Sequence, residues 1–379
     1  MRLKPVLVVV VGIVAALAVA ACGGSPSAQQ TAGSTGAAKP ASDAGLKKVQ
    51  AAVAGLSGKA RADKLAKMAK DEGGELSLYT SMTSDVEDAV SEAFSDAYDI
   101  DVSVYRSQIE TVLERLSQEA KAGYRGADAV ETNGPELFTL NNERVLASYE
   151  PPARSTLVPG STYDGWTADR FNKFVISWNT KLVHQGEQPR TWEDLADPKW
   201  KGRLEMELSD VDWYKTLYEY WVKQKGKSPQ EADRLFAGMA RNASFIKGHT
   251  VMGQLLGAGE YAVSASNYSY LVQNALEKGS PQAWKPVVQP VLARPNGVAI
   301  VAGAKHPAAA MLFNDWILSE DGQKLLTKLN LDVSRKDMVT AGNSGQVLVD
   351  LPSLLKNQQQ WEDRYDKLTR LGKVVEDNS

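Results

Sequence analysis

Strand-like and helix-like patterns alternate along the chain from about residue 75. Residues 75–79 alternate polar and apolar side chains, and residues 86–97 place apolar side chains three or four positions apart. The same succession repeats at 101–105 and 109–120. Strands that alternate closely with helices are typical of a parallel sheet covered by helices. The pattern therefore predicts an α/β fold with a doubly wound sheet.

A second group of elements begins near Phe174. The predicted strands there are 174–178, 203–208, 261–265, 287–291 and 297–301, and the predicted helices are 213–224, 229–240 and 252–257. The remainder of the chain is predicted to be mostly helical. This succession predicts two lobes, with 47–173 as the first part of lobe 1, 174–288 as lobe 2, and 289–379 as a return segment of lobe 1 followed by C-terminal helices.

Polar and aromatic side chains gather where the predicted strands end. Ligands bind α/β sheets at the carboxyl ends of their strands, so these side chains are the candidate ligand-binding residues. In lobe 1 they are Thr80, Ser81, Met82, Thr83, Ser107, Glu131 and Asn133. In lobe 2 and the return segment they are Asp210, Asp212, Trp213, Tyr268, Tyr270 and Arg294.

The N-terminal residues have the pattern of an export signal rather than of a folded element. Arg2 and Lys4 precede an uncharged apolar run that ends at Cys22, the single cysteine of the chain. Residues 1–21 are therefore predicted to be a lipoprotein signal peptide, with Cys22 as the lipidated residue. Residues 22–46 are poor in large apolar side chains beyond Cys22, which predicts a flexible tether.

Composition narrows the classes of function. The 379 residues contain 43 Lys and Arg against 46 Asp and Glu, a formal charge of −3, so the basic excess typical of nucleic-acid binding is absent. The sequence also lacks the phosphate-binding, zinc-protease and serine-hydrolase motifs. We therefore expect neither a nucleic-acid partner nor an enzyme.

Several segments resemble a known family. They are 74–81, 176–183 and 190–202, with shorter matches at 257–261, 293–296 and 318–323. Together they are similar to the extracellular solute-binding proteins of ATP-binding-cassette importers, in the branch that includes ferric-ion-, phosphonate-, polyamine- and thiamine-binding proteins.

The resemblance implies a two-lobed periplasmic-binding-protein-like fold of type 2. Each lobe would be a sheet flanked by helices, with the ligand cleft between the lobes. It also implies a monomer that is exported, held by its lipid at the outer face of the cell membrane or in the periplasm. Such a protein hands its solute to a membrane permease.

The resemblance leaves the solute open. Ferric-ion-binding relatives hold the metal with a His, a Glu and two adjacent Tyr, at positions that correspond here to Thr83, Asn133, Ser269 and Tyr270. One of the four is kept, and Tyr268 is a substitute if the chain shifts. A direct ferric site on Tyr270 and Tyr268 is therefore one alternative, and a ferric chelate that brings its own ligands is another. No cofactor is expected, because a ferric ion would be transported cargo.

A small organic ion is the third alternative. Trp213, Tyr268 and Tyr270 with nearby carboxylates suit an ammonium group, and the hydroxyls of lobe 1 with Arg294 suit an anionic group. A zwitterion such as an aminoalkylphosphonate would use both. Packing in the core is the competing explanation for each aromatic residue, and a salt bridge is the competing explanation for Arg294. The rival class of function is a secreted lipoprotein hydrolase that uses paired carboxylates such as Asp210 and Asp212.

Overall fold

The computed structural model describes residues 43–339 and 346–375. The predicted signal peptide, Cys22 and most of the predicted tether lie outside the described residues. Helix α1 starts at Ala44, ahead of the predicted end of the tether at residue 46, and Leu46 is buried in the apolar core. Among the described helices, none combines the length and the apolar character that a membrane crossing needs.

Twelve strands and thirteen α-helices make up the described part of the chain. The strands are β1 (Glu75–Thr80), β2 (Asp101–Arg106), β3 (Ala129–Asn133), β4 (Thr167–Asn179), β5 (Leu204–Glu207), β6 (Ala243–Ile246), β7 (Val263–Tyr268), β8 (Gln282–Ala283), β9 (Leu292–Ile300), β10 (Asp332–Val333), β11 (Val347–Leu348) and β12 (Lys373–Val374). The helices are α1 (Ala44–Ala52), α2 (Gly58–Asp71), α3 (Ser84–Tyr98), α4 (Ile109–Lys121), α5 (Gly134–Asn142), α6 (Val211–Glu219), α7 (Pro229–Asn242), α8 (His249–Ala258), α9 (Ser269–Glu277), α10 (Pro307–Ile317), α11 (Glu320–Lys328), α12 (Leu351–Lys356) and α13 (Gln358–Thr369).

Nine of the strands lie side by side in one hydrogen-bonded sheet, in the order β12-β6-β5-β7-β4-β9-β3-β1-β2. Parallel pairs join β1 to β2 and β3 at one end, and join β5 to β6 and β7 at the other. We call β1, β2 and β3 the first strand group and β5, β6 and β7 the second strand group. The predicted α/β fold, with helices against the sheet, is confirmed.

Strands β4 and β9 connect the two strand groups. The first part of β4 pairs antiparallel with β9, and its last part pairs antiparallel with β7. Strand β9 in turn pairs antiparallel with β3. All thirteen residues of β4 are buried, which is typical of a strand covered on both faces. The predicted lobe boundary after residue 173 falls inside this strand, and the predicted lobe limits stay predictions.

Several sequence-based element assignments differ from the structure. Residues 287–291 are not a strand, since they include Pro290 and directly follow Pro286, and proline has no N–H for a sheet hydrogen bond. Residues 131–133, which include the predicted strand-end residues Glu131 and Asn133, are the last three residues of β3 itself. The short strand β6 was not predicted. At the C-terminus, β12 pairs with β6 and so returns to the second strand group.

Two apolar clusters stabilise the fold. One contains Trp213 and Phe236 beside the second strand group, and the other contains Phe94 and Phe313 beside the first. Full burial of such a side chain contributes about 1.5 to 3 kcal/mol. Tyr270 packs against both clusters and therefore lies where they meet.

Candidate functional site

Thr80 and Glu131 meet at the carboxyl ends of two neighbouring strands. They are register partners in the parallel pair of β1 and β3, and the Thr80 hydroxyl donates to Glu131 Oε2 at 2.8 Å. Arg170 of β4 donates from Nη1 to Glu131 Oε1 at 2.5 Å and to Asp169 Oδ2 at 3.1 Å. These four side chains, the Arg170 cluster, are all buried.

Burial and charge oppose each other in the Arg170 cluster. Burial disfavours the charge on Arg170, but the carboxylates of Glu131 and Asp169 outweigh it and raise the pKa of the guanidinium. Burial raises the pKa of Asp169 to about 7, against the lowering effect of Arg170. The guanidinium therefore stays charged, and it holds two carboxylates in place.

The other candidates of the first strand group lie around the same strand ends. The Ser81 and Thr132 hydroxyls are hydrogen-bonded at 2.8 Å, and Ser107 N donates to the Thr80 carbonyl at 3.2 Å. Thr83 is the residue before helix α3. The Met82 side chain is buried in the apolar cluster around Phe94, so what Met82 offers the site is its backbone. Its carbonyl accepts from Arg106 Nε at 2.7 Å.

A second charged group also acts on Tyr270. Arg294 of β9 donates from Nη1 to Asp212 Oδ2 at 3.1 Å and from Nη2 to the Tyr268 hydroxyl. Asp212 stands in the first turn of α6, where the Trp213 N–H donates to its other carboxylate oxygen at 2.8 Å. We call Asp212, Tyr268 and Arg294 the Arg294 cluster. All three are buried. Arg294 therefore does form a salt bridge, but in the interior of the protein rather than at its surface.

Tyr270 links the Arg170 cluster to the Arg294 cluster. Its ring is nearly parallel to that of Tyr268, with 6.0 Å between the centroids. Burial raises the pKa of Tyr270, and the charges of Arg170, Arg294 and Arg106 each act to lower it. Three guanidinium groups from different strands, opposed by the charge of Glu131, therefore act on the Tyr270 hydroxyl. Tyr270 as a whole residue keeps part of its surface exposed.

Two acidic residues that the sequence argument did not select lie nearby. Burial raises the pKa of Glu136 to about 7, with Arg294 lowering it and Asp212 raising it. Burial and the charge of Asp210 likewise raise the pKa of Glu207 to about 7. Asp210 Oδ1 lies 3.1 Å from His249 Nε2. The His249 ring packs against that of Tyr268, with 3.7 Å between the centroids and 36° between the planes. Asp210 and Asp212 stand on one turn, not across a gap as a paired-carboxylate hydrolase requires.

Two candidates are engaged elsewhere. Trp213 is fully buried between Trp192 and Phe236, so core packing describes it better than a cleft wall. Asn133 accepts from Asn296 Nδ2 at 2.5 Å. The two residues that correspond to adjacent ferric-binding tyrosines also separate, because the Ser269 hydroxyl faces Asp332 Oδ2 at 3.4 Å while Tyr270 faces the arginines.

Sequence reasoning did not select five ionisable side chains near the site: Glu136, Asp169, Arg170, Glu207 and His249. All five sit in buried strands or in the first turn of a helix. The available signal was a charged residue inside an otherwise apolar stretch, because a buried charge requires a partner. That signal identifies a buried ionic group but does not identify the partner.

Two large cavities lie away from these clusters. One, of about 1120 Å³, opens beside Arg61 and Asp315 between α2 and α10, and another, of about 640 Å³, opens beside Trp284 and Asp332. The residues that line them do not include Tyr268, Tyr270 or Arg294.

Solved structures share this fold. Iron-bound HitA from Pseudomonas aeruginosa matches with a TM-score of 0.64 and 22% identity, over 78% of this chain and 99% of that one. The periplasmic binding protein AfuA from Actinobacillus pleuropneumoniae, with fructose-6-phosphate bound, matches with a TM-score of 0.62 and 19% identity, over 78% and 96%. The predicted two-lobed binding-protein fold is thereby confirmed.

Two relatives found by sequence comparison match this chain at low identity. Iron uptake protein A1 of a Synechocystis species is 26% identical over 280 residues, which are 69% of this chain and 76% of the relative. The Fe(3+)-binding periplasmic protein of Serratia marcescens is 21% identical over 224 residues, 57% of this chain and 65% of the relative.

The chain also matches a protein-family model. The model described as bacterial extracellular solute-binding protein matches residues 138–344, more than half of the chain. The match confirms the resemblance and the predicted role in binding a small solute, and it gives no support to the hydrolase alternative. Its members are exported binding proteins. The chain belongs to the family of bacterial extracellular solute-binding proteins.

Proposed function

We propose that this protein captures a small organic anion or zwitterion that carries a phosphoryl, phosphonyl or carboxylate group. The observation that carries the proposal is the pair of buried arginines on neighbouring strands, Arg170 of β4 and Arg294 of β9, whose Nε atoms have no hydrogen-bond partner among the described residues. The charges of both arginines and of Arg106 also act on Tyr270. A guanidinium presents a planar fork of N–H donors that matches the paired oxygens of such groups. An anion beside Tyr270 would therefore be held at once from β2, β4 and β9, the strands that carry these arginines.

The same region offers contacts for a cationic or hydroxyl-bearing part of the solute. The nearly parallel rings of Tyr268 and Tyr270 present π faces, and Glu136 and Asp212 supply carboxylates. Glu136 Oε2 is buried and makes no hydrogen bond with the described residues. Aromatic faces beside carboxylates favour an ammonium group, so an aminoalkylphosphonate or an amino-substituted acid suits both ends of the site.

A bare ferric ion fits this geometry poorly. The Tyr268 hydroxyl accepts from Arg294, and Asn133 is engaged with Asn296, so neither is free for a metal. The positive charge of the arginines would also repel Fe³⁺. A ferric chelate with carboxylate ligands is the second candidate. It is favoured by the partly buried Tyr270 phenol among arginines and by the iron-related names of the two relatives.

The test is a thermal-shift screen followed by calorimetry. The panel contains aminoalkylphosphonates, sugar phosphates, ferric citrate and a ferric salt, and NMR of the recovered solute checks that it is unchanged. We expect an organic anion to raise Tm, and Arg294→Lys to weaken its binding at least tenfold. The matched control is Arg241→Lys, on the exposed face of α7, which should bind like the wild type. Stabilisation by the ferric salt alone, with visible phenolate absorption, would overturn the proposal.

We also propose that the protein is anchored by lipid at Cys22 and delivers its solute to the permease of an ATP-binding-cassette importer. Cys22 is the single cysteine and directly follows the apolar run of the signal. Cys22→Ala should move the exported protein from the membrane fraction to the soluble fraction, whereas Ser25→Ala in the tether should leave it at the membrane. Membrane retention of Cys22→Ala would exclude this anchor.

A further inference from the structure

Three side chains that can bind a metal converge beside the second strand group. Glu207 ends β5, Asp210 lies in the turn that follows, and His249 is the first residue of α8. Strands β5 and β6 are neighbours and run parallel, so the segments that follow them lie at the same edge of the sheet. One ligand atom from each residue lies within 4.8 Å of the others.

We propose that Glu207, Asp210 and His249 form a binding site for a divalent transition-metal ion, with Zn²⁺ as the representative ion. The donors are one imidazole nitrogen and two carboxylate oxygens, a set that suits Zn²⁺ and its neighbours. Ligand atoms about 2.0 to 2.2 Å from such an ion stand roughly 3 to 4 Å apart, and the three ligand atoms here all lie within 4.8 Å of one another.

Burial and unmet hydrogen bonding support the site. Glu207, Asp210 and His249 are 5%, 2% and 9% exposed, respectively. Asp210 directs Oδ1 to the imidazole, while its Oδ2 and His249 Nδ1 are buried without a hydrogen-bond partner among the described residues. Glu207 is oriented by backbone N–H groups of Gly248, at 2.9 Å, and of Ser209. Such backbone contacts fix a ligand carboxylate while leaving lone pairs for an ion.

The local charge also favours a cation. Asp210, Asp212 and Glu136 all act on one guanidinium, that of Arg294, and Glu207 adds a further acid beside Asp210. A divalent ion would offset the excess of negative charge. The site adjoins Arg294 through Asp210, but none of its three ligands is an arginine of the proposed solute site, and it does not rest on the proposed solute.

The experiment uses the tag-free protein without any organic solute. After dialysis against a chelator, it is equilibrated with Zn²⁺, and bound metal is counted by mass spectrometry and by calorimetry. We expect one equivalent of Zn²⁺ in the wild type and at least tenfold weaker binding in His249→Gln. The matched control is His306→Gln. His306 also pairs with a carboxylate, Asp128, at 2.8 Å, but it is not part of a three-ligand cluster among the described residues.

Circular dichroism and Tm check that each variant folds. If His249→Gln does not fold, pulsed EPR of the wild type loaded with one equivalent of Cu²⁺ decides instead, because a bound imidazole nitrogen couples to the electron spin. The proposal is overturned if the wild type retains no stoichiometric Zn²⁺, if His249→Gln binds as tightly as the wild type, or if the Cu²⁺ signal lacks that coupling.

Discussion

Tyr268 and Tyr270 are two residues apart, but their hydroxyls have different surroundings. The Tyr268 hydroxyl accepts from the buried Arg294 side chain, whereas the Tyr270 hydroxyl is the group on which three arginines act. Tyr268 is therefore part of the buried hydrogen-bond network, whereas Tyr270 is the tyrosine that we expect to contact a solute.

Replacing each tyrosine by phenylalanine separates these roles. Tyr268→Phe leaves Arg294 Nη2 without its acceptor, and an unmet buried donor costs about 1 to 3 kcal/mol, so the free energy of unfolding in urea should fall by that amount. Tyr270→Phe should change stability by less and weaken solute binding at least tenfold. Tyr124→Phe, at a 54% exposed residue, is the control for both measurements. Equal stability losses in the two site variants would contradict the assignment.

Glu136 predicts a pH dependence of stability. Its folded pKa of about 7 lies above the ordinary 4.5 because of burial, so the folded state binds the proton more tightly than the unfolded state. Its contribution to stability is therefore complete below pH 4.5 and is lost as pH rises through 7. Glu136→Gln should remove this loss and exceed the wild type in unfolding free energy by about 1 to 3 kcal/mol at pH 8.

Urea unfolding at pH 5 and pH 8 measures the effect of Glu136→Gln. The control is Glu92→Gln, at an exposed position of α3, which should follow the wild type at both pH values. A Glu136→Gln variant whose difference from the wild type is the same at pH 5 and pH 8 would refute the raised pKa.

At the level of elements, the backbones of β4 and β9, the strands that connect the two strand groups, lie very close together near Gly297. A Cβ at Gly297 of β9 would lie 2.5 Å from the Thr167 carbonyl oxygen and 2.6 Å from a Trp166 ring carbon. Strands β4 and β9 would have to separate to make room, and such overpacking typically costs about 1 to 3 kcal/mol. We therefore expect Gly297→Ala to lower the free energy of unfolding by that amount.

Gly253→Ala is the comparison for Gly297→Ala. Gly253 lies inside α8, where the added Cβ would meet its nearest neighbour at an ordinary 3.4 Å. Alanine is favoured over glycine in a helix by about 0.5 to 1 kcal/mol, so this variant should be as stable as the wild type or more stable. Denaturant unfolding of both variants decides the matter, and a neutral Gly297→Ala would show that β4 and β9 are not tightly packed.

The same elements show which parts of the fold the sequence predicts and which parts it does not predict. Strand β1 and helices α3 and α4 have strong local periodicity, and the structure places them within one or two residues of the prediction. Strand β4 begins seven residues earlier than predicted because Asp169, Arg170, Asn172 and Lys173 break its apolar pattern. Their burial depends on partners distant in sequence, such as Glu131 for Arg170, which periodicity does not reveal.

The candidate site was predictable to a similar degree. The strand-end rule selected Thr80, Glu131, Asp212, Tyr268 and Arg294, which the structure brings into the two charged clusters. The rule failed for Trp213, since an aromatic residue at a strand end satisfies core packing equally well. Which side of a helix faces the site is decided by tertiary packing, and the sequence pattern of α6 does not contain that information.

At the scale of the whole molecule, the described conformation implies movement during binding. Arg294, Tyr268 and Asp212 are 6%, 5% and 5% exposed, so a solute in bulk water does not reach them without a change of shape. Strands β4 and β9 connect the two strand groups, and bending there would separate the Arg170 cluster from the Arg294 cluster. We therefore expect an equilibrium between this closed form and a more open one, shifted by solute.

Small-angle scattering measures that equilibrium directly. Without solute, the radius of gyration of a chain that begins at residue 43 should exceed the value calculated from the structure, and a saturating solute from the thermal screen should reduce it to that value. At the same solute concentration the Arg294→Lys variant should stay expanded, because its contact with the solute is weaker. The Arg241→Lys variant should contract like the wild type. A radius that equals the calculated value with and without solute would mean that the protein binds without opening, and the solute would then have to enter by a route that leaves Arg294 covered.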